Sequence, residues 1–162
     1  MIEAKDVIKT FRGGALAHRR AVEAVRGVSL ALEEGRTYAL VGESGSGKTT
    51  LTHLLTGLLA PDSGSITLDG RAIAAYPARE RFRAVQLVLQ DGKSALDPRV
   101  NVGRSIAEPM INLGICAKKE AMRRAALLLR AVDMPEDAFH RKPAELSGGE
   151  QKRVCIARAL SV

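Results

Sequence analysis

Apolar residues change their spacing several times along the chain, and each change marks an element. Residues 1–11 and 22–32 read as strands, the second with its branched residues alternating, and the loop GGALAHRR joins them. Residues 33–35 (EEG) make a turn, and RTYALV at 36–41 reads as a short apolar strand. It is followed by a helix in which Leu51, Leu54, Leu55, Leu58 and Leu59 repeat at helical spacing, with Pro61 as the expected stop. SITLDGRAI predicts a hairpin turning at Asp69-Gly70, and AVQLVLQ at 84–90 predicts a second buried strand. From Asn101 onward the period is helical. Over 118–132, Ala121, Ala125, Leu128 and Val132 form one stripe with Met122 and Leu129 beside it, and Lys and Arg take the other face.

With 162 residues, 46% of them hydrophobic, and no apolar run near the ~18 needed to span a bilayer, the expectation is one soluble globular domain or part of one. Met1–Phe11 carries charges where a signal peptide needs an apolar stretch, so a cytoplasmic location is expected. Cys116 and Cys155 belong to no CxxC, and His18, His53 and His140 share no ligand spacing, which argues against a metal clip or disulfide framework. The net charge of +7 is spread over short basic groups, and five Phe and Tyr with no Trp make a poor base-stacking platform, so no nucleic-acid partner is expected.

Gly42-Glu43-Ser44-Gly45-Ser46-Gly47-Lys48-Thr49 satisfies GxxxxGK[ST] at every fixed position, between an apolar run and a helix. Phosphate oxygens need several backbone N–H groups at close range, which calls for glycines that accept unusual dihedrals and carry no Cβ. The helix that follows turns its own N–H groups toward the same anion. Lys48 adds a positive charge for the β/γ-phosphates, and Thr49 offers a hydroxyl to Mg²⁺. A glycine-rich turn matching by chance would not be framed this way. No NKxD guanine reader is present, which disfavours a GTPase.

LSGGE at 146–150 fits the capping box S-x-x-E, with Ser147 as cap and Glu150 reaching back to it, ahead of the helix former QKRVCIARAL. A well-capped helix alone would account for Ser147 and Glu150. It does not account for Gly148 and Gly149, which cost a helix about 1 kcal/mol each against Ala. Bare backbone at a positive helix end suits close approach of an anion.

These two motifs, in this order, resemble the ATP-binding subunits of ABC transporters, where LSGG[QE] is the signature. The resemblance runs over nearly the whole chain. It implies an α/β P-loop NTPase core with an N-terminal antiparallel β part and a helical subdomain, incomplete at the C-terminus. Residues 1–90 would form the core and β part, 91–150 the helical subdomain, and 147–162 the signature helix of a single domain. Phe11 matches the aromatic residue that stacks on adenine. Gly42, Ser44, Gly45, Ser46, Gly47, Lys48, Thr49 and Thr50 match the ATP-binding loop. Gln90 matches the glutamine that contacts Mg²⁺ and the transport subunit, so Lys48 and Gln90 would be catalytic and Thr49 and Gln90 metal-binding. VLQDGKSALDPRVNVGRSIAEPM is similar to the peptide and nickel importer branch, with Asn101 where Thr is common.

The resemblance further implies two ATPase subunits, identical or different, packed head to tail. Ser147, Gly148, Gly149 and Glu150 would then serve the ATP held by the partner's loop. Closure of that pair drives membrane permease subunits, supplied by a solute-binding protein, from the inner face of the cell membrane. The apolar strand ending in Asp-Glu, the D-loop and the switch histidine of the family have no counterpart up to Val162, so the chain is expected to be the N-terminal part of a longer ATPase, inactive in hydrolysis alone. Other readings are a non-transport ABC ATPase of DNA repair or translation, which would co-purify with nucleic acid instead of permeases, and a degenerate nucleotide-binding fragment.

Overall fold

The computed structural model describes residues 1–13 and 20–162. The interior of the predicted loop, with His18, lies outside the described residues. Two compact units follow one another, Met1–Phe82 and Arg83–Val162.

The first unit is a four-stranded antiparallel sheet of order β2-β1-β3-β4, with one helix packed on it. Strand β1 spans Ile2–Gly13 and β2 spans Arg20–Leu32, so both predicted strands form and run further than the alternation suggested. Their register slips between Ala4 and Val7 and again near Lys9. Asp6 adopts a left-handed φ of 47° at the first slip, and its N–H donates to Ser29 Oγ at 2.8 Å. Strands β3 (Ser63–Leu68) and β4 (Arg71–Ala72) form the predicted hairpin. Asp69 and Gly70 both take positive φ, 50° and 77°, as a two-residue turn matching the strand twist requires. Helix α1 (Lys48–Leu55) buries Leu51 and Leu54 against Ala4, Val7, Val25, Ile66 and Ile73.

Two expectations fail in this unit. The helix stops at Leu55, well before Pro61, because Gly57 turns left-handed (φ 71°) and its N–H closes onto the Leu54 carbonyl. Leu58 is consequently exposed. Residues 36–41 form no strand, and neither do residues 85–90 in the second unit; residue 84 ends a helix. A strand exists only when a neighbour accepts its ladder hydrogen bonds, and none among the described residues does so. Tyr38, Leu40 and Val41 are left exposed, as are Val88 and Leu89.

The second unit is helical. After α2 (Ala78–Ala84), within which the two units divide, come α3 (Gly92–Ala95), α4 (Val102–Asn112), α5 (Lys118–Ala131) and α6 (Gly148–Ala159). Asn101 caps α4, its Oδ1 accepting from the Arg104 N–H at 3.1 Å. Along α5 the predicted stripe faces inward: Ala121, Ala125 and Leu129 are buried, and Met122, Leu128 and Val132 pack at their edges. They meet Ile106, Met110, Leu146, Val154 and Ala157 in one core. No helix among the described residues is long and apolar enough to cross a membrane.

Candidate functional site

The loop from Gly42 to Gly47 leads into α1 with the two dihedrals its glycines permit: φ is 81° at Gly45 and 92° at Gly47. Gly47 is also seated against β2. A Cβ placed there would lie 2.0 Å from the carbonyl oxygen of Ala24, so the loop can lie this close to the strand only without a side chain. A Cβ on Gly42 would come within 2.9 Å of Ser46 Oγ. The loop is therefore compact before any ligand contact is considered.

Lys48 opens α1 and folds back over the loop, its Nζ donating to the Gly42 carbonyl at 2.7 Å and to the Glu43 carbonyl beside it. The loop, Leu40-Val41, Leu51 of α1 and residues of β2 between Glu23 and Leu30 border an open cavity of about 620 Å³. Gly42, Gly45, Ser46, Gly47 and Lys48 line it; Ser44, Thr49, Thr50 and Phe11 do not. A bowl of this size, lined by three glycines of the loop and with an ammonium at one end, fits a phosphorylated ligand.

Thr49 lies exposed in the first turn of α1, and its hydroxyl bonds no described residue. It is a hard oxygen donor of the kind Mg²⁺ accepts. Among the described residues no group of three His, Cys, Asp or Glu gathers that could hold a metal ion. Gln90 is exposed at a bend of the second unit. Phe11 is exposed on β1, paired with Val22 across the ladder, with the Lys9 ammonium 6.0 Å from its ring centroid.

In the second unit LSGGE builds the predicted helix start. Ser147 Oγ accepts from the Glu150 N–H at 3.3 Å, and Glu150 Oε2 accepts from the Ser147 N–H at 2.7 Å. The Ser147 hydroxyl and backbone N–H together hold the Glu150 carboxyl below the ordinary glutamate range. Gly148 and Gly149 are exposed, and a Cβ at either would meet nothing within 4 Å. Nothing among the described residues demands glycine there, in contrast to Gly47.

Sequence reasoning passed over the β2 wall of the cavity. Glu23, Ala24, Val25 and Arg26 carry no motif, and the Ala24–Gly47 contact joins positions far apart in the chain.

A glycine-rich phosphate loop seated against β2, with a helix rising from its lysine, is the arrangement of a P-loop nucleotide-binding fold. The sequence profile described as "ABC transporter" matches residues 25–162, and the chain belongs to that family. It is 39% identical over 166 residues to the nickel import ATP-binding protein NikE of Escherichia coli O6:K15:H31 (strain 536 / UPEC), covering all of this chain and 62% of that protein. Against NikE of E. coli strain K12 the identity is 40% over 153 residues, covering 93% of this chain and 57% of the relative. The chain therefore spans about three fifths of the length of the curated relatives it matches. Among solved structures, the dimeric post-hydrolysis ATP-binding cassette MJ0796 bound to ADP and Pi superposes with a TM-score of 0.88 at 29% identity, over 99% of this chain and 69% of that one. CbiO1 from Clostridium perfringens, part of the transporter complex cbiONQ, shares the fold at a TM-score of 0.76 and 23% identity, over 99% and 61%.

Proposed function

We propose that this chain is part of an ATPase subunit that powers import of a small solute, a nickel chelate before a peptide, by an ABC transporter. The observation that carries the proposal is the Gly42–Thr49 loop, closed on Ala24 and opening with Lys48 onto a 620 Å³ cavity. ATP would sit with its phosphates on the loop amides and Lys48. Thr49 and Gln90 would share Mg²⁺, and Phe11 would stack on adenine. On this reading residues 1–90 are the core and β part, 91–150 the helical subdomain and 147–162 the signature helix of one cassette.

Gly148 and Gly149 support a second subunit as partner. Among the described residues no packing contact calls for them, and bare helix-start backbone suits a phosphate brought from outside. Ser147, Gly148, Gly149 and Glu150 would meet the partner's ATP, identical or different subunits serving equally. Permease subunits and a solute-binding protein complete the assembly, with the ATPase on the cytoplasmic face. The similarity to NikE favours nickel over peptide cargo.

The test is equilibrium binding of a labelled ATP analogue with Mg²⁺. Binding by the chain and its loss in Lys48→Ala are expected; unchanged affinity in Lys48→Ala would sink the nucleotide reading. Pull-down of membrane permeases supports the transport role, whereas capture of nucleic acid would replace it with a non-transport ATPase.

A further inference from the structure

Ala126, Leu129 and Arg130 stand at i, i+3 and i+4 on α5 and so share one face of that helix. The 3₁₀ turn Glu136–His140 sets Glu136, Phe139 and His140 at the same spacing. The two sets line a cavity of about 200 Å³ that lies wholly inside the second unit. Ala126, the buried Leu129 and the ring of Phe139 make its apolar part. The ring is held from behind, where a Cβ on Gly103 would fall 2.4 Å from its Cζ, and by His140 edge-on at 5.2 Å between centroids. The cavity is therefore built before any ligand arrives.

A charge pair crosses its mouth. Arg130 Nη2 lies 2.5 Å from Glu136 Oε1, and the two side chains are 61% and 75% exposed. A pair this exposed is weakly held against water. A ligand with only a carboxylate would take Arg130 and leave Glu136 without its cation, and a ligand with only an ammonium would do the reverse. One that carries both groups a single carbon apart satisfies the two residues together. Volume then sets the rest of the ligand. An apolar cavity of ~150 Å³ accepts benzene, so about 200 Å³ shared with the charged groups takes a side chain of leucine size.

We propose that this cavity binds a free aliphatic α-amino acid, its carboxylate on Arg130, its ammonium on Glu136 and its side chain against Ala126, Leu129 and Phe139. Binding exchanges one exposed ion pair for two and covers apolar surface on a wall that is already in place. None of these residues belongs to the Gly42–Thr49 loop or to LSGGE, so the proposal goes beyond the nucleotide reading and does not rest on it.

The experiment titrates L-leucine into the isotope-labelled chain and follows its backbone amides by NMR. Saturable shifts over residues 126–140 are expected, with a Kd of about 1 mM or tighter. Leucinamide, which lacks the carboxylate, and N-acetylleucine, which lacks the ammonium, should each bind about tenfold or more weakly. Binding of either as tight as that of leucine would overturn the proposal in favour of a peptide terminus as occupant. Arg130→Gln and Glu136→Gln, at exposed positions where folding is not at stake, should each weaken leucine by about tenfold. Arg130→Glu combined with Glu136→Arg keeps both charges in exchanged places and should recover most of what either reversal alone loses, which a purely structural ion pair would not produce. Shifts that fail to saturate by about 10 mM leucine, or that fall outside residues 126–140, would overturn the proposal, as would unchanged binding in Glu136→Gln. Because no nucleotide is added, failure here is distinct from failure of the Lys48 test.

Discussion

The backbone of Gly47 rests on the carbonyl of Ala24 so closely that a Cβ would lie 2.0 Å from that oxygen. The contact fixes the phosphate loop to β2, and φ of 92° makes the position doubly intolerant. Gly47→Ala must both enter a left-handed conformation and push the loop off the strand. The conformation alone costs on the order of 1–2 kcal/mol. A loss of about 2 kcal/mol or more is expected in denaturant unfolding, with loss of ATP-analogue binding. Gly45→Ala shares the positive φ but meets nothing within 4 Å, so its cost should stay near the conformational part. Equal effects at the two positions would remove the Ala24 seat from the explanation.

Acid tests the capping box. Glu150 is held below the ordinary glutamate range by the Ser147 hydroxyl and backbone N–H, and Glu120 is held down to about 2 by Arg123 and then Arg124. Both carboxylates are stabilised as anions in the folded chain. Their contribution is complete above the unfolded glutamate pKa and is lost as pH falls through the folded values. The urea midpoint should therefore fall with pH below about 4.5, the value expected for free glutamate. Glu120→Gln and Glu150→Gln should each flatten part of that limb. Ser147→Ala should lower stability by about 1 kcal/mol at neutral pH, and its Glu150 should titrate nearer the ordinary value in a carboxylate-resolved NMR titration.

These two sites show what the sequence could disclose. The phosphate loop and capping box are local chemistry: a few residues at fixed spacing satisfy their own backbone groups, so Gly47, Lys48, Ser147 and Glu150 stand where the pattern puts them. The Asp69-Gly70 hairpin is legible for the same reason. Residues 36–41 and 84–90 have the composition of strands, yet composition does not provide a ladder partner, and that information is not local. The α1 stop misled because Pro61 is a stronger breaker than Gly57, whereas the chain had already turned left-handed at the glycine. Ala24 beneath Gly47 and Gly92 beneath Gln151 are contacts between distant positions, and no periodicity announces them.

Gly103, near the start of α4, lies against the ring of Phe139, and a Cβ there would fall 2.4 Å from its Cζ. Helical dihedrals suit alanine, so conformation favours the substitution, while packing opposes it. The ring is stacked edge-on with His140 at 5.2 Å between centroids and helps wall a cavity of about 200 Å³ with Leu129 and Arg130. Overpacking of this kind costs typically 1–3 kcal/mol, more than the helix propensity returns. Gly103→Ala should be destabilising by about 1–2 kcal/mol, and Gly103→Ala with Phe139→Leu should recover part of the loss. A stabilised Gly103→Ala would show that the ring yields freely.

The two thiols should differ in reactivity. Cys155 is 3% exposed in the core of the helical unit, its Sγ directed at the Gly92 carbonyl, and burial pushes its thiol above the ordinary range against a smaller opposing pull from Arg158. Cys116 is half-buried just before α5. Thiolate is the reacting form, so access and ionisation both protect Cys155. Ellman's reagent at neutral pH should titrate one thiol of the native chain promptly and the second at the rate of opening. Cys116→Ser should abolish the prompt phase, and Arg158→Ala, which frees Ala95 from α6, should quicken the slow phase several-fold. If Cys155 reacts as promptly as Cys116, α3 does not cover it in solution.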